Sequence, residues 1–281
     1  MNTYISTGGF KKQTACQAAL YLYQLGFKNI ELSGGLYDEQ LEKNLSSLIS
    51  LDCNISIHNY LPYSKNSYVL NLASFDENVS NQSIAHVKKS INICSRFEIP
   101  QYAVHAGFLF DPKPKELGRT IVGRQIQDRK RSLDEFKKQI ILLSEYAEHQ
   151  GVRLLIENNV LSLSNLHAFQ KNPLLLSDPD EIEFFFTNID APVELLLDVA
   201  HFKVSSNALG FDLLSGLKQV KDKIGGLHLS DNNGNEDTND PFDKNSWFVG
   251  HIETMPYTVI EVYSYKKNIL KKLISICEDS L

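Results

Sequence analysis

Eight short apolar runs, each followed by a segment of helical period, constrain this chain more than any other feature. They are "NTYIST", "KNIELSG", "NISIHNY", "AVHAGF", "VRLLIENN", "VELLLDVAHF", "IGGLHLSD" and "YTVIEVYS". Runs this apolar suit strands buried on both faces, and strands that alternate with helices pair in parallel, because the chain must cross back before each new strand. Eight such units closing on themselves form a TIM (β/α)8 barrel, an α/β fold whose strand C-termini converge on one face. A length of 281 residues suits one barrel, and no Pro/Gly/Ser-rich linker interrupts the series. The expected domain is therefore 1–281.

Capping signals divide the helical segments. One helix is expected from Gln13 to Leu25 with Gly26 as its stop, others from Asp38 to Ser50 and from about Ser83 to Phe97. "SLDE" (Ser132 to Glu135) has capping-box spacing and predicts a helix that opens there and runs to Gln150, stopped by Gly151. Asp178 and Pro179 supply an N-cap and a first-turn proline for a helix through Phe186.

The strand ends carry the chemistry. The third run ends in His58, the fourth in His105, the fifth in Glu157, and the sixth in Asp198 and His201. The seventh ends in His228, with Asp231 beyond it, and the eighth in Glu261. Strand interiors read as free of such groups. Period two turns His228 and Ser230 inward and Leu229 outward. Singly, His58 or His105 reads as a satisfied structural histidine, and Asp198 or Glu157 as an acceptor for loop amides. Their recurrence on successive strand ends points elsewhere. Unpaired carboxylates and imidazoles among apolar strands are costly, and a divalent cation removes that cost by binding several at once. Glu157, Asp198, His228 and Glu261 provide three carboxylates and one imidazole, a set that suits Mn²⁺, Mg²⁺, Co²⁺ or Zn²⁺ and leaves positions for substrate oxygens. His86 and His149 fall on helices and His167 and His251 in loops, and none of these is given a role.

Composition narrows the partners. A net charge of −6 opposes a surface built to neutralise phosphates, so nucleic acid is not the expected partner. Cys16, Cys53, Cys94 and Cys277 are scattered without a CxxC pair and read as buried hydrophobes of a reducing compartment. No apolar run reaches the roughly 18 residues of a membrane span, and "MNTYISTGGFKK" lacks a secretory core, so a cytoplasmic location without membrane contact is expected. A homo-oligomer is compatible with everything above.

Taken together, "SIHNYLPYSKNSYVLNLAS", "AVHAGF", "LLIENN", "LLLDVAHF", "GLHLSDNNG" and "VIEVYS" resemble the xylose-isomerase-like TIM barrel superfamily, which includes sugar isomerases and epimerases and the endonuclease IV class. The resemblance implies that Glu157, Asp198, His228 and Glu261 are central metal ligands. It makes His201 a substrate- or second-metal-contacting histidine and His58 and His105 a pair for a further zinc. Two departures qualify it. The Asp-x-His that completes a trinuclear zinc site in the endonucleases has no counterpart in "DNNGNEDTNDPFDKNSWFVG", which holds aspartates but no histidine. The arginine typical of ketohexose epimerases is replaced by Asn232, Asn233, Gly234 and Asn235, which argues against free ketohexoses.

The implied activity is isomerisation or epimerisation of a sugar or sugar derivative. A proton next to a carbonyl is removed, and a metal bound to two adjacent substrate oxygens stabilises the enediolate. Glu157 and Glu261 would take and return the proton while His201 orients a hydroxyl. The alternatives are metal-dependent phosphodiester hydrolysis on DNA, with His58 and His105 on a second ion, and a barrel that binds without turnover. The long stretch from Gly107 to Arg131 carries Lys113, Lys115, Arg119, Arg124, Arg129, Lys130 and Arg131 against Asp111, Glu116 and Asp128. It reads either as a lid for a substrate anion or as a solvated loop leading into a helix. Tyr60, Tyr63 and Tyr68 read as packing at the barrel mouth or as a sugar-stacking wall.

Overall fold

The computed structural model describes residues 3–280 and closes eight parallel strands into one barrel in chain order. They are β1 (Thr3–Ser6), β2 (Asn29–Leu32), β3 (Asn54–His58), β4 (Gln101–His105), β5 (Arg153–Glu157), β6 (Val193–Asp198), β7 (Ile224–Leu229) and β8 (Thr258–Ile260). Tyr4 opposite Val259 joins β1 to β8 and completes the ring. Around it lie α1 (Ala15–Gln24), α2 (Leu41–Ser50), α3 (Glu77–Arg96), α4 (Arg129–His149), α5 (Leu163–Phe169), α6 (Pro179–Asn188), α7 (Val199–Leu209), α8 (Leu213–Val220) and α9 (Lys267–Ser280). No helix among the described residues is long and apolar enough to cross a membrane.

Two-residue periodicity sorts each strand between two apolar regions. Ile30, Ile57, Tyr102, Ile156 and Leu197 belong to the large core that the barrel shares with its helices. Tyr4, Ala103, Leu155, Leu196, Tyr257 and Val259 form a separate cluster inside the barrel. Two residues further along β4, β5, β6 and β8, toward the C-terminal mouth, stand His105, Glu157, Asp198 and Glu261. The barrel is thus apolar below and ionisable above.

β7 reaches the same pattern through an irregularity. Leu195 pairs with Ile224 and Leu196 with Gly226, which leaves Gly225 as an extra residue and brings His228 opposite Asp198. Gly226 has no side chain to place, and a Cβ there would meet Tyr257 Cδ1 at 2.9 Å and Leu155 Cδ2 at 3.0 Å. The Tyr257 ring fills that room.

Helix boundaries largely follow the capping signals, with three differences. The helix expected from Asp38 begins at Leu41, and Asp38 accepts from Gln40 N ahead of it. The helix expected to open at Ser132 begins at Arg129, because the Asp128 carboxylate accepts from Arg131 N at 2.9 Å and caps it one turn earlier; Ser132 is buried inside the helix. Likewise Asp76 caps α3 through Asn78 N and Val79 N, seven residues before Ser83. Asp178 and Pro179 open α6 as the sequence indicates, and Gly26 and Gly151 follow α1 and α4 with φ of +96° and +69°. His167, expected in a loop, lies on α5.

Candidate metal centre

Asp198 shows why an apolar strand can end in an acid. Its Oδ1 accepts from Ala200 N at 2.8 Å and His201 N at 2.7 Å, capping α7 as the chain leaves β6. Its Oδ2 is buried without a hydrogen-bond partner. Glu157 Oε1 and His228 Nδ1 are orphaned in the same way. These atoms face one another: His228 Nδ1 lies 3.3 Å from Glu157 Oε1, 3.9 Å from Asp198 Oδ2 and 2.8 Å from Glu261 Oε2. One ligand atom from each of Glu157, Asp198, His228 and Glu261 falls within 4.8 Å of the others. Three buried polar atoms left unpartnered around one point would each carry a desolvation cost, and the donor set fits a divalent cation that would remove it.

A carboxylate absent from the sequence reading completes this group. Glu31 lies inside β2, is fully buried, and accepts from His228 Nε2 at 2.9 Å and from the Tyr257 hydroxyl at 2.5 Å. The expectation that strand interiors lack ionisable groups is therefore corrected. With Nε2–H donated to Glu31, Nδ1 is the His228 nitrogen turned to Glu157, Asp198 and Glu261, and a cation bound there would take the place of its proton. Glu31 with His58 and His228 forms a second set of mutually close ligand atoms.

His58, His105 and Glu157 form a third. His58 Nε2 donates to Glu157 Oε2 at 2.6 Å, and His105 Nδ1 lies 3.3 Å from the same oxygen. His201 stands beside both acids, with Nδ1 3.6 Å from Glu157 Oε1 and Nε2 3.7 Å from Asp198 Oδ2. Its ring nitrogens also reach the Asn158 carbonyl at 3.0 Å and Asp237 Oδ2 at 3.2 Å. Two acceptors on two nitrogens call for an imidazolium. Asp237 escapes a reading of the sequence because it sits in an aperiodic loop beyond β7.

Burial and charge set the ionisation of the group. Burial alone would raise the Glu157 carboxyl, but His105, His58 and His228 outweigh it and hold it well below its ordinary value. Burial raises Asp198 to about 7, with Glu157, Asp237 and Glu261 adding to the rise against the pull of His201. Burial disfavours charge on His228 and His201, yet the surrounding carboxylates raise both well above the usual imidazole range.

The basic stretch after β4 divides. Arg129 and Arg131 belong to α4, where Arg129 forms a two-pronged bond to Glu181 and Arg131 lies over the Phe75 ring. Arg124 donates to the Asp111 carbonyl and covers Phe110. These cations hold the fold together. Tyr60 and Tyr63 pack against the main core, and Tyr68 donates to the buried His86 at 2.7 Å.

A family model described as xylose isomerase-like TIM barrel matches residues 20–261, and the chain belongs to that family. No curated protein matches it. Among solved structures, a D-tagatose 3-epimerase-like protein superposes with a TM-score of 0.70 at 19% identity, covering 99% of each chain. D-Psicose 3-epimerase from Clostridium cellulolyticum, solved with D-tagatose, gives 0.62 at 14% identity over 98% of this chain and 89% of that one. A protein from Thermus thermophilus, soaked with ZnCl2, gives 0.63 at 17% identity over 99% of both. At these identities the likeness is one of fold.

Proposed function

We propose that this chain is a divalent-metal-dependent isomerase or epimerase acting on a sugar or sugar derivative. The observation that carries the reading is the set of orphaned atoms, Glu157 Oε1, Asp198 Oδ2 and His228 Nδ1, gathered beside Glu261 in a buried barrel mouth. The fold it shares with a D-tagatose 3-epimerase-like protein and with D-psicose 3-epimerase supports it. Glu157, Asp198, His228 and Glu261 would hold the ion. When bound, it would supply positive charge beside two adjacent substrate oxygens.

The chain's own residues would do the rest. Glu157, ionised, accepts the proton from the carbon next to the substrate carbonyl, and Glu261 returns one, or the roles run in reverse. β5 and β8 are separated in the ring by β6 and β7, so the two carboxylates approach the substrate from different directions. His201 holds Asp237 at the edge of the site, where its free Oδ1 can accept a substrate hydroxyl.

A second reading, phosphodiester hydrolysis, draws on the grouping of His58, His105 and Glu157. Metal analysis of protein purified without chelators separates the two. The isomerase reading expects one tightly held ion per chain and solvent deuterium appearing at a carbon of a sugar substrate found by screening. No retained ion after incubation with Mn²⁺, Co²⁺, Zn²⁺ or Mg²⁺, or two ions together with incision of an abasic duplex, would overturn it.

A further inference from the structure

A cavity of about 390 Å³ opens from the metal cluster between the β4–α4 connection and α5. That volume is in the range of roughly 300–1,000 Å³ found for pockets that hold drug-sized ligands, more than a single small sugar requires. Its two ends differ. Next to the cluster it is lined by Asn59, His105, His201 and Asp237. Asn59 Oδ1 and Asp237 Oδ1 are buried there without hydrogen-bond partners, and both accept, so they fit the hydroxyl donors of a polyol. Along the connection and α5 the lining is mixed: Phe108, Leu117, Ile121, Phe169 and Leu174 supply apolar surface, with Thr120, Ser162, Ser164 and Asn165 between them.

The cavity is preformed. Asn165 on α5 clasps the connection, its Oδ1 accepting from Ile121 N at 2.8 Å and its Nδ2 donating to the Arg119 carbonyl at 3.2 Å. Leu109 N to the Pro173 carbonyl (2.8 Å) and Leu175 N to the Gly107 carbonyl (3.0 Å) tie the base of the connection to the segment after α5. Charge argues against an anionic occupant. Apart from His201, already set against Asp237, the one cation lining the cavity among the described residues is Arg119, on a lining that also carries Glu116, Glu236 and Asp237. The neighbouring Arg124 is turned to the Asp111 carbonyl and Glu116.

Building on the sugar reading, we infer that the substrate is a sugar carrying an apolar substituent, such as a glycoside with an aromatic or aliphatic aglycone, and is neither a free monosaccharide nor a sugar phosphate. The hydroxyl-bearing ring lies at Asn59 and Asp237, and the substituent lies between Phe108 and Ile121. Burying such a group lets the apolar end add affinity that a methyl group cannot supply.

Calorimetry on Mn²⁺-loaded protein tests this with a panel of sugars, each presented as the free sugar, the methyl glycoside, the p-nitrophenyl glycoside and the terminal phosphate. For at least one sugar the aryl glycoside should bind about 10-fold or more tightly than the methyl form. Leu117→Asp, on an exposed turn, and Ile121→Asp should each bring that ratio toward one; because Ile121 is buried, its variant is read only where its melting temperature matches that of the parent. Equal binding of aryl and methyl forms, tightest binding of a phosphate, or an aryl preference that survives both aspartate variants would overturn the inference while leaving a sugar substrate standing. Failure of every sugar in every form to bind would overturn both.

Discussion

The candidate metal cluster and the cavity beside it share one barrel mouth but are built from different parts. The cluster comes from strand positions: Glu31, Glu157, Asp198, His228 and Glu261 project inward one layer above an apolar plug. The cavity comes from connections, chiefly the segment from Phe108 to Ile121 and α5, held by a few side-chain bonds. Strands repeated around a ring fix a constellation of charges to within a bond length. Connections clasped by one asparagine fix a shape that can differ without disturbing the ring. The first suits chemistry and the second suits selection among substrates.

The largest test of this division falls on the cluster. Glu157→Gln and Glu261→Gln each keep an oxygen but lose the proton acceptor, and turnover and deuterium exchange should fall by about 10²–10⁴-fold in both. Full exchange in either variant would reduce that residue to a ligand. Binding of an aryl glycoside in the cavity should survive, which separates the two regions directly.

The next effect lies behind the cavity wall, where His86 supports Asn59. His86 is buried, accepts from Tyr68 and donates to the Asn59 carbonyl at 3.0 Å, and burial lowers its pKa to about 4. The folded value lies below that of the unfolded chain, about 6.5, so unfolded molecules take up the proton first as pH falls. Its neutral form therefore stabilises fully above about pH 6.5, and that contribution, about 3 kcal/mol, disappears as pH drops to about 4. Urea unfolding at several pH values should show this loss in the parent protein and its absence in His86→Gln. Parallel profiles would remove His86 as the cause.

A smaller change is expected from Glu31→Gln. Losing the carboxylate that sets the His228 tautomer should weaken metal binding by about 10–100-fold, with turnover recovering at saturating metal. Unaltered affinity in a metal titration would make Glu31 a packing residue only. Smallest of all, Asn165→Ala should release the clasp by about 1 kcal/mol, roughly fivefold faster amide exchange at Ile121, and leave metal affinity untouched. Coupled loss of metal would show that cluster and cavity are one unit.

How much of this is legible in the sequence follows the same line. Six of the strand ends announce themselves because a run such as Leu195–Leu197 has no reason to terminate in Asp198 unless the ring converges there. Glu31 stays hidden because it sits in the middle of "IEL" and not at the end of its run, and only barrel closure shows that its side chain turns inward. Asp237 sits six residues past Asp231 in a segment without period, so no local signal ties it to His201. The opening of α4 misleads for a different reason: "SLDE" has the right spacing, but Asp128 offers a charged cap one turn earlier, and the helix takes it. The basic tract is likewise a record of composition, since Arg124, Arg129 and Arg131 each find partners that only the tertiary fold supplies.

Gly226 has a consequence for how this sequence can drift. It touches no substrate and offers no ligand, yet the Tyr257 ring occupies the space its missing side chain leaves, and the Tyr257 hydroxyl is bonded to the carboxylate that holds His228. Even alanine would press on that ring and on Leu155. Selection acting on activity should therefore be felt at a position with no chemistry of its own, and a survey of tolerated substitutions should find Gly226 as intolerant as the acids above it. Descendants of this chain could exchange the residues of the clasped connection freely while this one glycine stayed where it is.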